Sequence, residues 1–288
     1  MYEAKIQNSL GEILTLSGKE NKWYVVDITG LNPTPGTVNM TQIAGMNGAL
    51  FNSARIGSKN IVVLLSLTGQ VEQNRLELYE FFRVSEACRF FYKTRTRDVF
   101  IDGIVESVEC GLYAKNEQLQ ASIVCPRDTF SGIEEKEIEL SGRSIADFVF
   151  PFAINEDDPV SFSERNTTEM TEVMNGGDAD AGFELQINVL ATCDEIKIMN
   201  LTSGKIIDVQ ISHFLAGDVI YISTVSGKKS IRLFRDGEDI TIFEKISDST
   251  EFFQLVPGKN MLAYVVDSAA RSDKCRVVMK FRDQYKGV

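Results

Sequence analysis

The sequence predicts a mainly β fold in two domains, with a single α-helix in the first. Three observations carry this. Short apolar runs alternate with polar residues at a period of two. Turn signals such as Ser9-Leu10-Gly11, Ser203-Gly204-Lys205, Ser226-Gly227-Lys228, Asp236-Gly237 and Pro257-Gly258-Lys259-Asn260 break them up. One segment alone has a clear helical period. Several short strands at such spacing read as sandwiches or barrels rather than a parallel α/β sheet.

The elements follow in order. Residues 2–29 and 60–125 read as strands of one sheet. Within them, Val71 to Arg83 reads as a helix, with Gly69 ahead of it as a start signal. At 100° per residue Val71, Leu78, Tyr79 and Phe82 share a face, which is expected to pack on that sheet. Residues 33–55 differ: the stretch is rich in Pro, Gly and Asn, yet carries Val38, Met40, Ile43, Met46, Leu50 and Phe51. Free loops rarely expose so much apolar surface. Either this segment folds back onto its own domain as a hairpin, or it lies on another chain. The character changes near Ile133-Glu134-Glu135-Lys136, which divides the chain into residues 1–140 and 141–288. The second half shows no helix and reads as strands. Its stretch Asn175 to Ala181 reads as a disordered acidic loop. No internal repeat of about 20–50 residues is visible.

Composition narrows the function classes. The chain has 288 residues, 43% hydrophobic and 25% charged, as globular proteins do. Its formal charge of −11, with both halves acidic, disfavours a nucleic-acid-binding surface. No apolar run approaches the ~20 residues of a membrane helix, and the N-terminus lacks a signal peptide's basic and apolar regions. No membrane partner and no general secretory route are therefore expected. The five cysteines contain no CxxC pair and read as buried, reduced thiols. The single histidine, His213, excludes a two-histidine metal site and reads as a partly buried side chain with a local hydrogen bond. Asp178-Ala179-Asp180-Ala181-Gly182 begins like a calcium loop but has Val189 where the closing glutamate belongs. GxSxG, GxGxxG, P-loop and HExxH motifs are absent. No catalytic residue, metal or cofactor is expected.

Lys93-Thr94-Arg95-Thr96-Arg97 is the sharpest local charge feature. In a strand, Lys93, Arg95 and Arg97 would share one side. They would then either protect a solvated edge or meet a partner's carboxylates or phosphates.

An ordered series of short matches adds to this reading. It runs through Asp27-Ile28-Thr29-Gly30-Leu31 with Pro33 and Pro35, Gly45-Met46-Asn47-Gly48, and Asn60-Ile61-Val62-Val63. It continues through Arg75 with Leu78-Tyr79-Glu80-Phe81-Phe82, Phe91-Tyr92-Lys93-Thr94, and Ile101-Asp102-Gly103 with Val105-Glu106. In the second half come Gly217-Asp218-Val219-Ile220-Tyr221-Ile222 and Phe252-Phe253-Gln254-Leu255 leading into Pro257-Gly258-Lys259-Asn260. The series resembles the distal tail proteins of long-tailed, non-contractile phages and spans nearly the whole chain. Lys59 stands where the family usually has arginine, and Cys125-Pro126-Arg127-Asp128-Thr129-Phe130 departs from the usual close of the first domain.

The resemblance implies a structural virion protein of a phage or prophage, with no catalysis. Its first domain, β-sandwich-like with one helix, would form a ring, a homohexamer, at the tail tip. Its second would be a galectin-like β-sandwich. The partners would be a second copy of itself, the tail tube protein, the hub, fibre or tail-associated lysin, and a receptor-binding protein. DNA would meet it only in passage through the lumen. Assembly would take place in the host cytoplasm. Residues 33–55 match the family's belt, which reaches the neighbouring subunit. Pro33, Pro35, Val38, Met40, Met46, Phe51 and Arg55 are then interface candidates, and Lys93, Arg95 and Arg97 face either the lumen or a subunit contact. The competing reading is a carbohydrate-binding sandwich. Against it, Trp23 falls in a first-half strand, and Tyr221 and Tyr264 fall in strand patterns expected to be core.

Overall fold

The structure is a computed structural model. It describes residues 2–16, 22–112, 116–140, 144–145, 164–165, 170–267, 269–270 and 274–288. It is mainly β, and the chain forms two units: Met1–Ile133 with Gln284–Val288, and Glu134–Asp283.

The first unit holds β1 (Glu3–Gln7), β2 (Ile13–Thr15), β3 (Trp23–Thr29), β4 (Gly36–Thr41), β5 (Leu50–Ile56) and β6 (Lys59–Leu67). Helix α1 (Val71–Phe81) follows, then β7 (Ala87–Lys93), β8 (Asp98–Cys110), β9 (Gln118–Cys125) and β10 (Phe130–Gly132). The main sheet has the order β2-β1-β7-β8-β9-β6-β3. It curls until its ends approach: Tyr2, Ala4 and Tyr92 line a cleft together with Tyr24, Val25 and Ile28 of β3. Alternation builds the interior. Ile61, Val63 and Leu65 of β6 point inward and are fully buried, as are Ile6, Phe90, Leu119 and Ile123.

The helix packs on this core, but not by the full stripe the spacing suggested. Leu78 and Phe82 are buried, whereas Tyr79 is 37% exposed. Tyr79 lies 100° around from Leu78, beyond the contact. Asn74 is buried in its place, its Nδ2 donating to the carbonyls of Lys22 (3.2 Å) and Thr68 (2.7 Å). A polar side chain that satisfies carbonyls beside β3 and β6 thus anchors the helix.

The second unit carries β11 (Lys136–Glu139), β12 (Ser144–Ile145), β13 (Glu164–Arg165), β14 (Thr171–Asn175), β15 (Phe183–Val189), β16 (Cys193–Asn200) and β17 (Lys205–Phe214). β18 (Val219–Ser223), β19 (Ser230–Arg235), β20 (Glu238–Thr241), β21 (Gly258–Val266), β22 (Ala269–Ala270) and β23 (Cys275–Phe281) complete it. A six-stranded sheet, β11-β23-β15-β18-β19-β20, faces a five-stranded one built on β14-β21-β16-β17. Phe183, Ile187, Ile196, Ile198, Phe214, Phe253 and Met279 fill the space between them. The expectation of disorder at 175–181 fails. Asn175 is buried and its Nδ2 donates to the carbonyls of Ala179 and Leu255, both at 2.9 Å. One amide supplies the partners that a glycine-rich loop otherwise lacks.

The last strand, β24 (Gln284–Tyr285), pairs with β10 of the first unit, Phe130 opposite Tyr285. The second unit is therefore inserted between β10 and β24.

Candidate functional site

The hairpin of β4 and β5 is the feature that the fold itself does not use. Every residue from Pro35 to Ser58 is exposed, so the segment does not fold back onto its own domain. The register pairs Gly36 with Ile56, Val38 with Ala54 and Met40 with Phe51. Paired residues share a face, so Val38, Met40, Phe51, Ala54 and Ile56 form one apolar side. Thr37 with Arg55 and Asn39 with Ser53 form the polar side. A bulge between Asn39 and Met40 leaves Asn52 without a cross-strand partner, and its Nδ2 donates to Thr41 Oγ1 at 2.6 Å. At the tip Gly45 and Gly48 take positive φ, and Met46 is 68% exposed. A lone two-stranded hairpin is only marginally stable in water. This one presents an uncovered apolar face.

Its root, by contrast, is fixed. Pro33 and Pro35 hold the entry extended and are exposed. Gly30, at φ +85°, brings the chain so close to β6 that a Cβ would lie 2.0 Å from the Asn60 carbonyl oxygen. Lys59 is buried at the exit. Its Nζ donates to the carbonyls of Asn32 (2.7 Å) and Lys286 (3.3 Å) and lies over the Phe130 ring. Burial pushes its ammonium below the ordinary lysine range, an effect that Asp128 and Cys125 oppose. The C-terminal residues close the root: Val288 N donates to Leu31 O, and Gly287 packs where a Cβ would meet Pro33. Arg55 is exposed, with no ion-pair partner among the described residues.

The basic segment is not the strand that its alternation suggested. β7 ends at Lys93, and Thr94–Arg97 make the turn into β8. Thr94 Oγ1 accepts from Arg97 N at 3.0 Å and Thr94 N donates to Arg97 O at 2.7 Å, which takes the chain out of the ladder. The three cations consequently part company. Lys93 pairs with Asp98 at 2.7 Å, which raises its pKa. Arg97 donates to the Gly287 carbonyl and lies over Tyr285. Arg95 is exposed and has no partner among the described residues.

Other residues singled out by the sequence take the following places. His213 is 71% exposed rather than partly buried, and its Nδ1 lies 2.9 Å from Asp194 Oδ1. Trp23 is buried in the first core. Tyr264 packs against the second core, whereas Tyr221 is exposed beside Arg232. Among the described residues no cluster of His, Cys, Asp or Glu is arranged to hold a metal ion.

The first unit is thus a curled sheet with a projecting apolar hairpin, and the sandwich is inserted ahead of its last strand. Residues 176–285 match the family described as siphovirus-type tail component, C-terminal domain. No curated protein matches the chain by sequence. Among solved structures it is similar to SPP1 Dit, described as a paradigm of the hub adsorption apparatus in phages infecting Gram-positive hosts. That match has a TM-score of 0.66 at 13% identity over 98% of both chains. The phage P2 baseplate in its activated conformation with Ca is similar at TM-score 0.52 and 13% identity, over the whole of both chains. Residues 176–285 are thus similar to siphovirus-type tail components, and the fold of the chain is shared with SPP1 Dit.

Proposed function

We propose that this protein forms a ring, a homohexamer, at the tail tip of a long-tailed phage or prophage. The ring joins the tail tube protein to the hub, fibre or tail-associated lysin and to a receptor-binding protein. It assembles in the host cytoplasm and works in the virion, with DNA passing through the lumen. The role is structural rather than catalytic. The similarity to hub and baseplate proteins supports the setting. The observation that carries the ring is the uncovered face of β4 and β5. A repeated heterologous contact closes a ring when one surface patch fits a different patch on the next copy. A projecting hairpin on a rigid root is suited to be one of those patches. Burying Met40 and Phe51 on a neighbour contributes about 1.5–3 kcal/mol each. Arg95, which has no partner among the described residues, is the position in its turn suited to a lumen or subunit contact.

The test replaces residues 36–56 with a short Gly-Ser loop and supplies the variant during tail assembly. The purified variant keeps the parent's circular dichroism, because the hairpin lies outside both cores. Tails made with it lack tips in electron micrographs. Normal, infectious tails carrying the variant would overturn the reading.

A further inference from the structure

We propose that Cys193 and Cys275 are an oxidation site: a thiol pair that closes into a disulfide across the sandwich of the second unit when the protein leaves a reducing compartment. Their sulfurs lie 4.0 Å apart, and both side chains are buried. Each is the first residue of its strand, Cys193 of β16 and Cys275 of β23. Those strands belong to opposite sheets, so a bond here would tie the two layers together at one end.

The surroundings hold this geometry at an end of the sandwich whose flanking residues are exposed. Asp267 Oδ1 accepts from the backbone N of Asp194 (2.7 Å) and Glu195 (3.1 Å), while Lys274 Nζ lies 2.5 Å from Asp267 Oδ2. One carboxylate thus links the residue after Cys193 to the residue before Cys275. Closing the sulfurs from 4.0 Å to about 2.05 Å asks for rotation at Cβ and an adjustment of the backbone. The register shift between Cys193 and Glu195 puts an irregular, adjustable stretch at that point. Thr192 and Asp194, on either side of Cys193, are exposed, so a local opening of the sandwich end admits a small oxidant. The hydrogen bond with Cys275 also favours the thiolate of Cys193, which suits it to attack first.

The chemistry balances with a low-molecular-weight disulfide as oxidant. The Cys193 thiolate attacks one sulfur of that disulfide; its S–S bond breaks and one small thiolate leaves. The Cys275 thiolate then attacks the Cys193 sulfur and expels the second. Two electrons pass from the cysteines to the small molecule, and the two thiol protons end on the released thiols. The biological setting, cytoplasmic assembly followed by exposure outside the cell, rests on the function proposed above; the geometry does not.

The experiment uses the purified full chain in buffers of oxidised or reduced glutathione. Oxidised protein is expected to be about 2 Da lighter, to yield one non-reducing peptide joining Cys193 to Cys275, and to melt about 10 °C higher, because the bond spans 82 positions of sequence. Reductant reverses all three. Cys193→Ser abolishes the mass loss and the shift, whereas Cys88→Ser keeps both. Five alkylatable thiols after oxidation, or a bridge mapped to another pair, would overturn the proposal. The peptide map on unaltered protein decides it even where a serine variant folds poorly. Ring formation is not read by any of these measurements, so the two proposals fail separately.

Discussion

Asp218 shows how much one side chain holds in the second unit. It is buried, its two oxygens accept from Arg235 Nε (2.9 Å) and Nη2 (2.5 Å), and Leu215 N donates to it at 2.8 Å. The Arg235 guanidinium, chiefly, holds its carboxyl below the usual carboxylate range. A depressed folded pKa stabilises above the unfolded value, near 4, and that contribution fades as pH falls through the folded value. Asp267, held down by Lys274, acts in the same direction. Asp218→Asn is expected to cost about 2 kcal/mol at pH 7 and to flatten the acid limb. Urea midpoints measured between neutral pH and about pH 3 check both: the parent's midpoint falls below about pH 4 more steeply than the variant's. None of this was legible in the sequence, where Gly217-Asp218 figures only as part of one short match in the ordered series. The burial of Cys88, Cys125, Cys193 and Cys275 was legible from residue type, whereas Cys110 is only half-buried, against that expectation. The pairing of Cys193 with Cys275 was not legible, because strand order, rather than spacing, brings positions 193 and 275 together.

At the scale of elements, legibility followed the strength of the apolar pattern. The hairpin stood out because its methionines and phenylalanine sit among loop residues, a conflict that the chain's own cores leave unresolved, since residues 35–58 are exposed. The helix was legible in extent and partly wrong in face. Periodicity counted Tyr79 as apolar and could not see that Asn74 would satisfy the Lys22 and Thr68 carbonyls. The two positions are separable by experiment. Leu78→Ala empties a fully buried site and is expected to cost about 3 kcal/mol, while Tyr79→Ala stays within about 0.5 kcal/mol. Equal losses in urea titrations would restore the stripe that periodicity implied. The cationic segment failed for a related reason. Alternation predicted a strand, but the Thr94 hydroxyl accepts from Arg97 N and competes with the ladder.

At the scale of the molecule, the insertion is the feature that linear reading misses. Both ends of the second unit meet in one ladder, β11 against β23, with Lys136 opposite Phe281. Ion pairs reinforce the junction: Lys136 with Asp283 at 2.7 Å and Arg282 with Glu135 at 3.2 Å. The second unit therefore closes on itself, and the five residues after it belong to the first. Those five do more than end the chain. Gln284 Oε1 accepts from Ser131 and Thr129, Tyr285 pairs with Phe130, Lys286 O takes the buried Lys59 ammonium, and Gly287 O takes Arg97. A first unit cut at Ile133 loses all of these and leaves Lys59 short of a buried acceptor, a loss of several kcal/mol at about 1–3 per unsatisfied group. A first unit in which Ile133 is joined to Gln284 by a short glycine linker keeps them. The linked form is expected to melt cooperatively and the cut form to melt well below it, by 10 °C or more on the scale of about 4 °C per kcal/mol. The hairpin root gives a second readout: in the cut form, hydrogen exchange at Leu31 and at Asn60 rises while the centre of β6 stays protected. Equal melting of the two forms would show that the C-terminal strand is dispensable, and that the hairpin is held by Gly30 and the prolines alone.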